Sequence, residues 1–164
     1  FKKSNSLIIM VGERKNECGG SAYYNLYGEL GKNIPKPNLD NVKKQIFALT
    51  DSIERELVLS CHDISDGGLA LAISEMTFDN NIGCKIGINS NLSDDKILFS
   101  ETGGFILETS IDSFEMLHDV FSNFDLEIFK IGTTGGDKIK INTTVNIPVE
   151  KAKNKWLNGL RNKL

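Results

Sequence analysis

The chain has 164 residues, a 40% hydrophobic and 25% charged composition, and a formal net charge of −3. This composition is typical of a folded domain that builds a core without disulfides, and the lack of basic excess excludes a nucleic-acid-binding face. No apolar run reaches the ~20 residues of a membrane helix. Three isolated cysteines, Cys18, Cys61 and Cys84, lack metal-ligand spacing and predict reduced thiols in the cytoplasm.

The chain starts at Phe1 and carries no apolar leader before its first strand pattern. We therefore expect a fragment of a longer chain, which folds as a single domain over residues 1–164. A processed N-terminus is the alternative, because it would give the same start.

The first half of the chain alternates between strand and helix patterns. Residues 7–11 are apolar throughout, as expected for a strand buried on both faces. Ser21 can cap a short helix over 22–27, and Asn38 or Asp40 can open a longer helix. A strand over 58–61 leads through a polar loop into a buried helix over 69–78. The longer helix carries one apolar stripe, which consists of Val42, Ile46, Leu49, Ile53 and Leu57.

The second half continues the same alternation without an internal repeat. A helix is predicted over 112–121 and a terminal helix over 149–161. Residues 132–136 join two strands and predict a hairpin turn rather than a phosphate loop. The element order favours an α/β sandwich with a mixed sheet. The predicted strands of this half cover 84–88, 105–109, 126–131 and 138–142.

The segment 62–68 combines a strand end, a polar loop, two glycines and a helix start. Amide groups at a helix start and flexible glycines can cradle an anion. Two carboxylates can hold Mg²⁺, and an imidazole can donate to a phosphate or orient a carboxylate. The alternative is that Ser65 or Asp66 only caps the helix. The candidate residues are His62, Asp63, Ser65, Asp66, Gly67 and Gly68, with Asp63 and Asp66 as the metal candidates.

Two further segments offer weaker signals. Gly20 and Ser21 precede a helix, but their pattern lacks the ending of a P-loop, so a turn with a helix cap is the alternative. Glu101 provides a loop carboxylate that could bind a ligand or only hold its loop. His118 has the pattern of a surface residue, and no nucleophile system accompanies either histidine. The residues alone thus indicate an α/β domain with a candidate anion loop.

Two motifs together resemble a known family. Gly-Gly-Ser-Ala-Tyr at 19–23 and His-Asp-Ile-Ser-Asp-Gly-Gly-Leu at 62–69 are similar to the C-terminal domain of phosphoribosylformylglycinamidine synthase. This domain belongs to the aminoimidazole ribonucleotide synthetase superfamily. Leu-Phe-Ser-Glu at 98–101 and the terminal helix with Trp156 support the resemblance. It implies a three-layer α/β/α sandwich with a mixed sheet and partly ferredoxin-like topology.

The resemblance also implies a function for the longer chain. The family's enzyme is an ATP-dependent ligase of de novo purine synthesis, which uses ATP, Mg²⁺ and ammonia to convert formylglycinamide ribonucleotide into formylglycinamidine ribonucleotide. The implied partners are sister domains of the same chain, a glutaminase subunit and a small accessory subunit. The catalytic residues are expected outside this chain, which would be inactive alone, and no cofactor is assigned to it by itself.

The sequence departs from the family pattern at three positions. Cys18 and Ala22 stand where the family has Leu and Glu, and Gly104 stands where an Arg is frequent. An Arg there would be a bidentate partner for phosphate. The alternatives are another ATP-using superfamily member (aminoimidazole ribonucleotide synthetase, thiamine-monophosphate kinase or a hydrogenase-maturation protein) or a structural domain. A structural domain would pack through the helix of Tyr23, Tyr24 and Tyr27.

Overall fold

The computed structural model describes residues 1–159 and contains a seven-stranded sheet. Neighbouring strands are antiparallel except for the third and sixth, which are parallel. The mixed sheet is therefore confirmed. The strands are β1 (Leu7–Val11), β2 (Ser60–Asp63), β3 (Cys84–Ile86), β4 (Phe105–Thr109), β5 (Ile128–Thr134), β6 (Lys138–Ile141) and β7 (Val145–Pro148), in the spatial order β2-β4-β1-β5-β3-β6-β7.

Helices cover both faces of this sheet. One layer packs through Leu49, Leu117 and Phe121, and the other through Leu69 and Ile97. The predicted three-layer α/β/α sandwich is therefore confirmed. The first layer is formed by α2 (Leu39–Glu54) and α5 (Phe114–Ser122), and the second by α3 (Gly68–Phe78), α4 (Asp94–Phe99) and α6 (Val149–Asn158), with the short α1 (Ala22–Asn25) at one end.

The ferredoxin-like part of the fold consists of two β-α-β units. β1-α2-β2 and β4-α5-β5 place their four strands in the order β2-β4-β1-β5, all antiparallel, with both helices on one face. The segment from α3 to α4 is inserted between the two units, and β6, β7 and α6 follow them. The partly ferredoxin-like topology is thus confirmed as well.

The central strand β1 has the burial that its apolar run predicts. All five of its side chains are buried, with Ile8 and Met10 facing α3 and Ile9 facing α2. The predicted stripe of α2 is only partly correct, because the buried side is shifted toward Ala48 and Ser52. Ile46 of that stripe is 48% exposed. The sheet-facing side of α2 thus consists of Ala48, Leu49 and Ser52, and part of the predicted apolar stripe faces solvent.

The predicted hairpin over residues 132–136 is wrong. β3 lies between β5 and β6, so these two strands do not pair with each other. Gly132 belongs to β5, and a Cβ at this position would come within 2.2 Å of the Lys85 carbonyl oxygen on β3. The close approach of a neighbouring strand therefore explains this glycine. Gly135, Gly136 and Asp137 connect β5 and β6.

Other boundaries differ by a few residues. Pairing of Asp63 with Phe105 extends β2 to residues 60–63, instead of the predicted 58–61. β7 has no predicted counterpart, and β5 runs to Thr134 rather than to 131. The predicted terminal helix is confirmed from Val149, but its positions 160 and 161 lie outside the described residues.

Candidate functional site

The candidate segments meet at one end of the sheet. β1 and β2 finish there, at Val11 and Asp63, and the antiparallel β4 begins beside them at Phe105. The loops that follow β1 and β2 therefore lie next to the loop that precedes β4. His62 and Asp63 lie in β2, Gly68 is the first residue of α3, and the other candidate residues that the sequence indicates lie in these three loops.

Glu101 joins two of these loops. Its carboxylate Oε1 accepts a hydrogen bond from the Gly67 amide at 2.8 Å and another from the Ala22 amide at 2.9 Å. One oxygen thus binds the starts of α3 and α1, whose first amides have no partner within their own helices. Bonds to an ionised acceptor are about twice as strong as neutral ones. Glu101 is therefore the junction of the site.

The glycines before α3 allow the chain to turn tightly onto the sheet. Gly67 and Gly68 have φ angles of 77° and 65°, in the left-handed region. A Cβ at Gly68 would lie 2.7 Å from the Leu98 carbonyl oxygen and 2.9 Å from the backbone of Phe99. Since only glycine fits here, α3 starts in direct contact with the end of α4.

The loop before α1 is closed by its own polar groups. The Ser21 hydroxyl is buried and accepts a hydrogen bond from the Tyr24 amide at 3.2 Å. The Gly19 amide donates to the Asn33 carbonyl at 2.7 Å. Tyr23 stacks on Phe99 with ring centroids 4.3 Å apart. The turn with a helix cap is therefore the arrangement that the structure contains at Ser21.

The loop before α3 is different, because its polar side chains make no such cap. Gly67 is the N-cap of α3, and among the described residues no side chain of this loop bonds to the first turn of the helix. Ser65 and Asp66 are exposed, and within residues 1–159 neither side chain has a hydrogen bond. The interpretation of these two residues as helix caps is therefore wrong, and both side chains remain available to a ligand or partner.

His62 and Asp63 lie in strand β2 rather than in the loop. The His62 Nε2 atom is 3.0 Å from Glu75 Oε2 on α3, and the Trp156 indole donates to Glu75 Oε1 at 2.8 Å. Nδ1 of His62 lies 2.7 Å from the Asp63 carbonyl oxygen. The imidazole thus orients a carboxylate on the α3 face of the sheet, and the structure does not bring it to Glu101.

The sequence reasoning missed Arg14. Its side chain is buried, and its guanidinium donates to the Ser100 carbonyl at 3.2 Å and to the Gly103 carbonyl. Burial lowers the pKa of Arg14 to about 10, and the Glu17 carboxylate opposes this shift. Arg14 lies 86 residues from Ser100. No local pattern in the sequence could have indicated a contact over that separation.

A cleft of about 390 Å³ opens beside Glu101, between the start of α2 and the loop before β4. Its volume is in the range of small-molecule sites. Lys15 and Lys36 contribute positive charge to its wall, while Glu13 and Glu127 contribute negative charge. The cleft is thus of mixed charge and adjoins the site without containing Ser65 or Asp66.

Asp63 and Asp66 are the candidate metal ligands that the sequence indicates. In the described residues 1–159, no group of three or more His, Cys, Asp or Glu side chains is arranged to hold a metal ion. Asp63 and Asp66 as ligands of Mg²⁺ therefore stay a prediction, because this ion is usually held by one or two carboxylates together with water and substrate phosphates.

The helices, the cysteines and His118 bear on the other expectations drawn from the sequence. None of the helices within residues 1–159 combines the length and the apolar character needed to cross a membrane. Cys18, Cys61 and Cys84 are unpaired. Burial raises the pKa of the Cys84 thiol to about 12, so this side chain is an unreactive part of the core. His118 is exposed, as predicted.

A family model described as "AIR synthase related protein, C-terminal domain" matches residues 3–142. The chain belongs to this family. Its similarity to phosphoribosylformylglycinamidine synthase subunit PurL of Methanothrix thermoacetophila is 30% identity, covering 98% of this chain and 22% of that protein. PurL of Thermoplasma volcanium is 35% identical, with the same two coverages. The chain thus spans about a fifth of the length of these relatives.

Solved structures show the same fold. "T. maritima PurL complexed with FGAR" superposes with a TM-score of 0.76 and 16% identity, over 93% of this chain and 28% of that one. "T. maritima PurL complexed with ATP" gives a TM-score of 0.71 and 16% identity, over 93% and 26%. "Structure of PurLQS from Thermotoga maritima" gives 0.74 and 17%, over 93% and 27%.

Proposed function

We propose that this chain is the C-terminal-type domain of a phosphoribosylformylglycinamidine synthase subunit, folding as a single domain over residues 1–164. The observation that carries the proposal is the identity of 30% and 35% to PurL proteins over 98% of the chain. Within a complete subunit, the reaction would be the ATP-dependent amidation of formylglycinamide ribonucleotide. The chain by itself would be inactive, because it corresponds to 22% of those relatives.

The names of the solved relatives support the ligands and partners of the proposal. T. maritima PurL has been solved with ATP and with FGAR, and in an assembly named PurLQS. We therefore propose ATP and formylglycinamide ribonucleotide as ligands of the complete subunit. Sister domains of the same chain, a glutaminase subunit and a small accessory subunit would be its partners, in the cytoplasm.

The site we propose is the group of loops around Glu101. The side chains of Ser65 and Asp66 are exposed and make no hydrogen bond to the described chain, so they can contact a ligand or a neighbouring domain. Gly67 and Gly68 set the path of this loop, and Gly20 and Ser21 belong to the loop that Glu101 ties to it. His62 and Asp63 would act from the adjoining strand by holding the loop's entry.

Replacement of a domain in a characterised relative tests this proposal. We would exchange the matching segment of T. volcanium PurL for this chain and measure formylglycinamidine ribonucleotide formation with ATP and ammonia. We expect the chimera to be active and the T. volcanium protein that lacks the segment to be inactive. A folded chimera that shows no turnover, while the parent enzyme does, would contradict the proposal.

A second role is favoured by exposed apolar side chains next to α1. Leu26, Tyr27 and Leu30 are 81%, 68% and 77% exposed. Such a cluster marks a surface that packs against another protein or domain. Under this alternative the chain contributes only a structural half to the subunit. Calorimetric titration with ATP, ADP and the ribonucleotide separates the two roles, because saturable binding that Asp66→Ala abolishes requires a ligand site at the loop.

A further inference from the structure

Arg14 is a buried cation that reaches across to the loop before β4. We infer that Arg14 is a positioning residue of the proposed site: it fixes residues 100–104, and so places the Glu101 carboxylate on the amides of Gly67 and Ala22. The inference rests on the proposed function, because that proposal makes these loops a site. The hydrogen bonds from Arg14 to the loop and from the two amides to Glu101 are features of the structure itself.

The guanidinium holds the loop on both sides of Glu101. It donates to the carbonyl of Ser100, directly before Glu101, and to that of Gly103, two residues after it. A planar guanidinium carries five N–H donors in a rigid fork, so one side chain can fix two carbonyls in a defined relative position. A lysine has a single nitrogen on a flexible stem and cannot hold both carbonyls in this way.

The backbone around the loop is shaped for this side chain. A Cβ at Gly104 would lie 2.3 Å from the Val11 carbonyl oxygen and 3.3 Å from Nη2 of Arg14. The glycine thus lets the loop, the end of β1 and the guanidinium pack together. Its φ angle of 119° also lies outside the range that other residues readily adopt.

Few other contacts fix the loop. The Ser100 amide donates to the Lys96 carbonyl at 3.3 Å, and the Gly104 carbonyl accepts from the Ile64 amide at 2.8 Å. Between these two ends, the contacts that join the loop backbone to the described chain come from Arg14. Apart from the two hydrogen bonds that the Glu101 carboxylate itself accepts, the guanidinium therefore provides the hydrogen bonds that hold the middle of the loop.

Arg14 stays charged in this position. Its pKa of about 10 is far above neutral pH, and Glu17 provides the nearby negative charge. Within the described residues, however, Nε of Arg14 and Oε2 of Glu17 are buried without a hydrogen-bond partner. The guanidinium is thus oriented by the loop carbonyls rather than by a direct ion pair.

Amide hydrogen exchange, followed by NMR in this chain, tests the positioning role. Arg14→Ala and Arg14→Lys are compared with Glu101→Ala. Arg55→Ala serves as the control because Arg55 is exposed and, within residues 1–159, forms its ion pair with Asp51 alone. We expect Arg14→Ala and Glu101→Ala to accelerate exchange at Gly67 and Ala22 by about tenfold relative to core amides, as for the loss of one charged hydrogen bond. Arg55→Ala should leave both amides unchanged.

Chemical rescue separates positioning from general loss of stability. Added guanidinium at a non-denaturing concentration should restore protection in Arg14→Ala and have no such effect in Glu101→Ala. If Arg14→Ala does not fold, Arg14→Lys provides the same comparison of the two amides. Protection of Gly67 and Ala22 within about twofold of wild type in the folded Arg14 variant, while Glu101→Ala loses it, would overturn the inference.

The same variant in the chimeric synthase links positioning to function. Arg14→Lys should raise the KM for the ribonucleotide or ATP more than it lowers kcat, since it loosens the loops without removing a reacting group. Unchanged kinetics together with lost amide protection would overturn the proposed function of the loops but leave the positioning contact intact. Unchanged protection would overturn the positioning role whatever the kinetics.

Discussion

Two glycine-containing loops lead into helices at the same end of the sheet, and they use their polar residues differently. In the loop before α1, Ser21 is buried and caps its helix. In the loop before α3, Ser65 and Asp66 are exposed, and the N-cap is Gly67, which has no side chain to offer. Glu101 supplies an acceptor to the start of both helices.

This difference separates polar side chains that hold the fold together from polar side chains that are free to contact a ligand or partner. A serine that caps a helix satisfies an amide and is needed for folding, whatever else the loop does. In the loop before α3 that task is moved to Glu101, on a different loop. Ser65 and Asp66 are thereby released from a structural role, which makes them the better candidates for contact with a ligand or partner.

The largest difference is expected between the glycines of the two loops. Gly68→Ala should destabilise the chain by about 3 kcal/mol or more, because left-handed strain adds to overpacking against Leu98 and Phe99. Gly20 has a similar φ of 74° but no atom within 4 Å of its Cβ position, so Gly20→Ala should cost only about 1 kcal/mol. Urea unfolding measures both, and equal losses would show that strain alone decides.

Removal of the shared acceptor should affect both loops at once. Glu101→Ala is expected to cost about 2 kcal/mol, because it deprives two helix starts of a charged acceptor at a half-buried position. Glu101→Gln keeps an acceptor oxygen without the charge and should lose less. Thermal unfolding of the two variants checks the order. A glutamine variant as unstable as the alanine variant would show that the charge, rather than the bond geometry, holds the loops.

The elements that local sequence predicts best are those with a strong apolar pattern. β1 and β4 match their predicted bounds, and α3 and α5 match within about two residues. β7 and the separation of β5 from β6 by β3 were not predicted, since strand pairing between distant segments leaves no local pattern. The layers and the ferredoxin-like order came from the family resemblance rather than from periodicity.

The candidate site follows the same division. The glycines and polar residues of both loops were identified from the sequence, because a glycine with a polar residue before a helix is a local pattern. The junction at Glu101 and the support from Arg14 depend on contacts across 79 and 86 residues. His62 was placed in the loop because the end of β2 is set by pairing with β4, which the sequence does not display.

The two serines provide a smaller and cleaner contrast. Ser21→Ala should cost about 1 kcal/mol through loss of the cap to the Tyr24 amide. Ser65→Ala removes an exposed hydroxyl that makes no hydrogen bond in the described chain, so it should change stability by less than about 0.5 kcal/mol. Chemical denaturation of both variants tests the assignment. A loss at Ser65 equal to that at Ser21 would mean that Ser65 also has a structural partner.

Asp66→Ala is expected to have the smallest effect on stability, within about 0.5 kcal/mol, because the side chain is exposed and makes no bond to the described chain. If the loop before α3 contacts a ligand in the complete subunit, the same variant should still lower kcat/KM of the chimeric synthase. Matched measurements on Asp51→Ala control for the loss of a surface charge. Asp51 lies on α2 and pairs with Arg55. If Asp66→Ala keeps both its stability and the rate of the chimeric synthase, Asp66 does not belong to the site. If the variant loses stability, Asp66 has a structural role like that of Ser21. Only a stable Asp66→Ala variant with a reduced kcat/KM fits a side chain that acts in the site and that the fold does not need.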